Sequence, residues 1–191
     1  MGRGKVLALL LVGGMTAAAA EPPWSLAELM ALLSARGDSR ARFVEEKHLA
    51  LLKEPLRQEG SVEFRKPAYL AKHVVKPVEE HYLIDGDTVT VEKPGEGVRT
   101  HLSLADYPAL AAFVASLRAP LAGDIAALER YYHPYLGGTR SHWRLALAPA
   151  DPALAGRVRQ VTLEGREGRV ERLEIEELGG DRSVLRFEPG P

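Results

Sequence analysis

The amino-acid sequence predicts an α+β fold in which an antiparallel sheet curls and helices pack against its concave face. Three observations support this prediction: a leading amphipathic helix, about ten short strands in two sets, and two helices between the sets. Too many strands flank too few helices for a parallel α/β fold, whereas three helices can cover one face of an antiparallel sheet. We expect one domain over residues 21–191.

Residues 1–20 have the pattern of a secretory signal peptide. Arg3 and Lys5 precede an apolar run over 6–12, and three alanines at 18–20 provide a small-residue cleavage site. The sequence contains no cysteine, so it predicts no disulfide and no lipidated cysteine after the cleavage site, where Glu21 stands. We therefore expect an exported protein without a lipid anchor.

The first predicted helix begins a few residues after the predicted cleavage site. Ser25 is a good N-cap and Glu28 completes a capping box. Gly37 is expected to end the helix in a left-handed conformation. Four apolar residues share the spacing of one helix face: Leu26, Leu29, Met30 and Leu33.

Alternation with period two then predicts a meander of strands. Its turns contain proline or the Asp85–Gly86 pair, which favours a hairpin. The predicted strands are 41–51, 58–65, 69–75, 79–85, 88–92 and 98–102.

Two helices are predicted in the middle of the chain. Asp106 is expected to cap a helix beginning at Tyr107 and ending at Ala119–Pro120, and Asp124 a second helix through about residue 130. His133–Pro134 is expected to close the second helix. The helix predicted to begin at Tyr107 has an apolar stripe formed by Leu110, Phe113, Val114 and Leu117.

Strands return in the last third of the chain. Trp143, Leu145 and Leu147 alternate with less apolar residues, and the Gly-Gly pairs at 137–138 and 179–180 are interpreted as turns. Three further strands are predicted around 158–163, 170–175 and 182–188.

The sequence offers no recognisable catalytic, cofactor or metal site. Its six histidines lack the close pair that is typical of a zinc site, and no Gly-x-Ser-x-Gly elbow is present. Adjacent glutamates such as Glu45–Glu46 point to opposite faces of a strand, which we interpret as solvated charges. The near-neutral formal charge of −1 argues against nucleic acid as a partner. We expect no enzyme and no cofactor.

Apolar residues on both the sheet and the helices allow two interpretations. They form either a packed core or the walls of an apolar groove beneath a movable helical lid. The pattern alone favours the packed core.

Several local strings, spread over nearly all of residues 21–191, match the motifs of a known protein family. The segment 60–67, Gly-Ser-Val-Glu-Phe-Arg-Lys-Pro, is similar to its Gly-x-(apolar)-x-(apolar)-x-(Arg/Lys)-Pro. The segment 83–89 resembles its Asp-Gly hairpin, and 168–175 resembles its closing hairpin. Shorter resemblances occur at 43–46 and 121–128. In these strings and their order the chain resembles the LolA-like family of periplasmic lipoprotein carriers.

The resemblance implies an incomplete antiparallel β-barrel of about ten to eleven strands, with an N-terminal helix and two inserted helices over its concave apolar face. It also implies a monomeric periplasmic carrier that takes lipoprotein acyl chains, or a related lipidic cargo, from an inner-membrane transporter to an outer-membrane acceptor. Lys66 stands where the family has the arginine that ties the barrel to its lid helix. Lysine lacks the planar fork of arginine, which implies a looser lid.

These expectations assign roles to individual residues. The predicted cargo groove consists of Phe64, Leu70, Leu83, Val89, Val91, Trp143 and Leu145. The predicted lid contains Lys66, Leu110, Phe113, Val114 and Leu117. A periplasmic adaptor with a fully packed half-barrel and a hydrolase with an unrecognised site remain as alternatives, and a solid core beneath the helices would favour the adaptor.

Overall fold

The computed structural model describes residues 24–189. The predicted signal peptide lies outside them. Helix α1, Leu26–Ala35, begins with the predicted capping box, in which the Ser25 side chain accepts from the Glu28 backbone and the Glu28 side chain accepts from the Ser25 backbone. Gly37 follows with the left-handed φ of 67° that the sequence predicted.

One sheet of eleven antiparallel strands is built within residues 24–189. The first six strands are β1 Ser39–His48, β2 Leu56–Arg65, β3 Tyr69–Lys76, β4 Glu80–Asp85, β5 Thr88–Lys93 and β6 Val98–Ser103. The remaining five are β7 Tyr132–Thr139, β8 His142–Pro149, β9 Val158–Arg166, β10 Arg169–Glu177 and β11 Arg182–Pro189.

The strand order closes the two sets of strands onto each other at the centre of the sheet. It runs β6-β5-β4-β3-β2-β1-β11-β10-β9-β8-β7. The first and last strands along the chain, β1 and β11, therefore pair with each other in the middle of the sheet. Within the described residues β6 and β7 are edges that do not pair with each other, and the barrel therefore stays incomplete. The predicted fold class is confirmed.

Two helices, α2 Pro108–Ala122 and α3 Ile125–Glu129, lie between β6 and β7 in the chain. A short helix, α4 Pro152–Ala155, lies between β8 and β9. Two 3₁₀ turns, Pro94–Glu96 and Leu104–Asp106, flank β6. Asp124 caps α3 as predicted, because its carboxylate accepts from the Ala127 backbone N–H at 2.9 Å.

Two predicted boundaries of α2 are wrong. The helix begins at Pro108 with Tyr107 at the N-cap, because Asp106 belongs to the preceding 3₁₀ turn. It also continues through Pro120 to Ala122. Ala119 and Pro120 are both buried, so packing outweighs the missing backbone donor near the end of the helix. Gly123, with φ of 78°, ends α2 instead.

Strand β7 and helix α4 were not predicted. His133 and Pro134 lie inside β7 rather than closing a helix, and Gly137–Gly138 continues the strand rather than forming a turn. A proline is compatible with this position because β7 is an edge strand, where one side of the backbone lacks a neighbour.

Two apolar clusters divide the face of the sheet that meets the helices, here called the concave face. The first cluster joins α1 to β1 and the later strands, with Leu33, Phe43, Leu145, Leu163 and Leu173 among its members. The second cluster joins the early strands to α2 through Phe64, Leu70, Ile84, Val89, Leu104 and Val114. The space between these clusters is the candidate site.

Candidate functional site

A cavity of about 810 Å³ lies between α2 and the concave face. Its walls are mostly apolar and come from both halves of the sheet: Val62, Phe64 and Ile84 on one side, Leu163 and Ile175 on the other. This volume falls in the upper part of the range of about 300–1,000 Å³ that is typical of small-molecule sites. The apolar faces therefore do not close completely into a packed core.

Helix α2 covers the cavity with one face. Leu110, Phe113, Val114 and Leu117 follow the i, i+3, i+4, i+7 spacing, and all four line the cavity. They are called the lid face below. The structure thus brings together all four apolar residues that the sequence analysis assigned to the lid.

The early strands place the predicted groove residues in different surroundings. Phe64, Leu70 and Val89 line the cavity. Val91 packs at the margin of the second apolar cluster, beside the cavity. Leu83 lies between Tyr82 and Ile84, both of which line the cavity, so strand alternation directs Leu83 to the opposite face of the sheet.

The later strands use Trp143 and Leu145 for the core. Both are buried in the first apolar cluster, and neither lines the cavity. The Trp143 indole N–H donates to the Glu167 carbonyl at 2.9 Å, which attaches β8 to the β9–β10 hairpin. Packing is therefore the role that the structure supports for these two residues.

Lys66 does not connect to the lid. Its side chain is exposed and makes no hydrogen bond or ion pair within residues 24–189, whereas its backbone N–H donates to Asp38 Oδ1 at 2.9 Å. The connection comes from α2 itself: Arg118 Nη1 donates to the Gly86 carbonyl in the β4–β5 turn at 2.6 Å. Arg118 was not predicted as a lid residue, although a lone cation beside an apolar helix stripe was a signal for it.

A second contact fixes the other side of α2. The Tyr132 hydroxyl donates to the Ala112 carbonyl at 3.0 Å, and Tyr132 is fully buried. Burial raises the pKa of this hydroxyl, so it stays protonated and remains a donor at physiological pH. Helix α2 is thus attached to the early strands by Arg118 and to β7 by Tyr132.

The lining also contains charged residues, most of which are exposed at the surface of the protein. Three of the less exposed ones, Glu45, Lys47 and Lys72, are called the charged cluster below. Lys72 Nζ donates to Glu45 Oε2, and Lys47 Nζ lies 3.9 Å from Glu45 Oε1. The Glu45 side chain is only 4% exposed, so the interpretation of Glu45–Glu46 as a solvated pair is wrong for Glu45. Strand alternation does send one of two adjacent glutamates to each face, but here the inner face is enclosed.

Aromatic rings and a glycine shape the space around Lys72. Its Nζ lies 5.0 Å from the centroid of the Phe43 ring and 6.0 Å from that of Tyr82. Gly60 lies beside Phe43, and a Cβ at this position would come within 3.0 Å of Phe43 Cε1 and 1.9 Å of the His73 carbonyl oxygen. Burial lowers the pKa of the Lys72 ammonium, and the Glu45 carboxylate acts in the opposite direction.

The described residues contain no group of three or more side chains placed to hold a metal ion. Among the helices within residues 24–189, none combines the length and the apolar character needed to cross a membrane. What the arrangement offers chemically is a largely apolar cavity whose wall contains the charged cluster, with most of the other charged lining residues exposed at the surface.

Three solved structures resemble the chain at low sequence identity. A LolA superfamily protein from Nitrosomonas europaea is 14% identical, with a TM-score of 0.48 over 85% of this chain and 89% of its own. A DUF1329 family protein from Desulfovibrio piger is 14% identical, with a TM-score of 0.47 over 85% and 88%. A chain of the Pseudomonas aeruginosa MucA/MucB complex is 16% identical, with a TM-score of 0.46 over 85% and 55%.

No curated protein matches the sequence. A family model does match, and it covers residues 9–185, which is most of the chain. Its description is outer membrane lipoprotein carrier protein LolA-like. The chain therefore belongs to the LolA-like family of outer-membrane lipoprotein carrier proteins.

Proposed function

We propose that this protein is a non-enzymatic periplasmic carrier that holds the acyl part of a lipoprotein or a related lipid beneath α2. The observation that carries the proposal is the apolar cavity between the lid face and the sheet. Membership of the family supports it, and the predicted signal peptide supports a periplasmic location. An inner-membrane donor and an outer-membrane acceptor complete the proposed route, along which the carrier acts as a monomer.

The energetic basis is the cost of exposing hydrocarbon to water. Transfer of each methylene group of an acyl chain from water to an apolar cavity is favourable by about 0.8 kcal/mol. Contacts that hold α2 over the empty cavity, such as the hydrogen bond from Arg118 to Gly86, stabilise the cargo-free state and so lower the net affinity. A carrier needs this compromise because it must also release its cargo.

The alternative is an adaptor that uses the same half-barrel only as a scaffold for a partner protein. Such a protein has no need of an internal space, and a solid core beneath α2 is expected for it. The cavity of about 810 Å³ favours the carrier.

Mass spectrometry tests the proposal most directly. The protein is purified from the periplasm of its native host without detergent, extracted with organic solvent and analysed for acyl species. We expect a recurring acyl species at close to one molecule per protein. Lipid at only the level carried by an unrelated periplasmic protein would contradict the proposal.

Arg118 provides a separate test of the lid. Arg118→Met removes the hydrogen bond to Gly86, and a hydrogen bond from a charged donor contributes about 1.5–3 kcal/mol. Because Arg118 is partly exposed, we expect the lower end of this range and about tenfold faster uptake of the uncharged fluorescent dye Nile red. Stopped-flow fluorescence measures the rate, with Arg118→Lys as the variant that keeps the charge. Equal rates in wild type and Arg118→Met would show that this contact does not hold the lid.

A further inference from the structure

The charged cluster is unusual because it is shielded from solvent in the wall of a mostly apolar cavity, whereas most of the other charged lining residues are exposed at the surface. Glu45 and Lys47 come from the concave face of the central strand β1, and Lys72 comes from β3, two strands away. The side chains of Glu45, Lys72 and Lys47 are 4%, 23% and 33% exposed. The cluster therefore runs from an enclosed carboxylate to a partly accessible ammonium group.

The charges in this cluster do not balance. Two ammonium groups share one carboxylate, and within residues 24–189 no ion pair joins either lysine to another acidic side chain. The nearby Glu80 is already engaged by the Tyr82 hydroxyl at 2.7 Å and by Lys93 at 3.6 Å. The cluster thus presents one excess positive charge to the cavity.

Excess charge beside apolar walls is unfavourable unless a counter-charge accompanies it. An ammonium group has three donors, and within the described chain the hydrogen bond to Glu45 uses one of those on Lys72. The face of the Phe43 ring compensates only part of the charge. A monoanion entering the cavity would both neutralise the cluster and use the free donors.

We propose that the charged cluster binds an anionic end group of the cargo, so that the cavity takes anionic amphiphiles: an acyl or alkyl chain attached to a carboxylate or a phosphate. This inference rests on the proposed carrier function and names its substrate class. Acyl chains held by ester or amide bonds carry no charge of their own and would leave the cluster unbalanced. The proposal therefore favours a lipid with a charged end group as the cargo.

The test compares three probes that share one hydrocarbon chain: laurate, lauryl phosphate and the uncharged lauryl alcohol. Each displaces Nile red from the delipidated full-length protein at neutral pH, below the concentration at which it forms micelles. We expect at least one of the two anions to bind about tenfold more tightly than the alcohol. The more tightly bound anion identifies carboxylate or phosphate as the preferred end group.

Variants separate recognition of charge from structural stabilisation. Lys72→Met is expected to lower the affinity for the anions to that for the alcohol and to leave the affinity for the alcohol unchanged. Glu45→Gln removes the carboxylate that competes with the anion for the lysines, and should therefore tighten binding of the anions. Lys76→Met replaces an exposed lysine of the same strand as Lys72 and should change neither the affinity for the anions nor that for the alcohol. If Lys72→Met does not fold, Lys47→Met at the more exposed end of the cluster provides the same comparison.

Equal affinity for anions and alcohol in the wild type would overturn this proposal and leave the carrier function standing. An equal loss for all three probes in Lys72→Met would also overturn it, because the ion pair would then be structural only. If neither Nile red nor any of the three probes binds, the carrier function is overturned as well.

Discussion

Replacing Phe113 by glutamate is expected to weaken binding of an apolar cargo by about 100-fold or more, while the protein stays folded. Phe113 is on the lid face and lines the cavity. A carboxylate at this position would have to lose its water when cargo fills the space, and an effective cost of several kcal/mol per buried ion is typical. A 100-fold loss corresponds to about 2.7 kcal/mol, which lies within that cost.

The fold should survive because Phe113 is only partly buried in the cargo-free protein. A glutamate there can keep contact with water until cargo arrives. Nile red titration measures the affinity, and thermal unfolding followed by circular dichroism measures the fold.

Two control variants make the Phe113 result specific. Phe113→Leu keeps an apolar side chain and should bind the dye within about threefold of the wild type, a difference of about 0.6 kcal/mol. Tyr135→Glu makes the same change from aromatic residue to carboxylate on β7, where the side chain is 64% exposed and outside the cavity, and should bind normally. Normal binding by Phe113→Glu would show that the lid face does not contact cargo.

Local signals predicted much of the fold. The capping box at Ser25, the left-handed Gly37 and the Asp124 cap each depend on a few neighbouring residues, and all three are present. Periodicity gave the strands for the same reason, since alternation is a property of each strand alone. Edge strand β7 was missed because Pro134 and Gly137–Gly138 are turn signals by composition, and only the position at the edge makes them acceptable in a strand.

The candidate site was less predictable because it depends on which strands become neighbours. Alternation could not tell whether Ile84 or Leu83 faces inward, since a shift of one residue exchanges the two faces. The charged cluster joins residues 27 positions apart in sequence through the pairing of β1, β2 and β3. Neither Glu45 nor Lys72 is distinguishable by composition from the many exposed charges of the chain.

The pairing of Trp143 with Gly165 shows why Trp143 belongs to the core rather than to the cavity wall. The two residues are cross-strand partners on β8 and β9, so the indole ring lies over a position without a side chain. A Cβ on Gly165 would lie 2.6 Å from Trp143 Cζ2 and 1.9 Å from the Arg169 carbonyl oxygen. Both neighbours are fixed, the ring by burial and by its hydrogen bond to Glu167, the carbonyl by the β9–β10 hairpin.

We therefore expect Gly165→Ala to lower the free energy of unfolding by about 3 kcal/mol, at the upper end of the cost of overpacking a core. For a domain of this size that corresponds to a fall in melting temperature of about 6–12 °C. Gly137→Ala is the matched control, because Gly137 also lies in a strand and nothing approaches the position of its Cβ within 4 Å. Urea unfolding followed by tryptophan fluorescence gives the free energy of unfolding of both variants. Equal stability of the two variants would show that the ring and the hairpin can move apart to accommodate a methyl group.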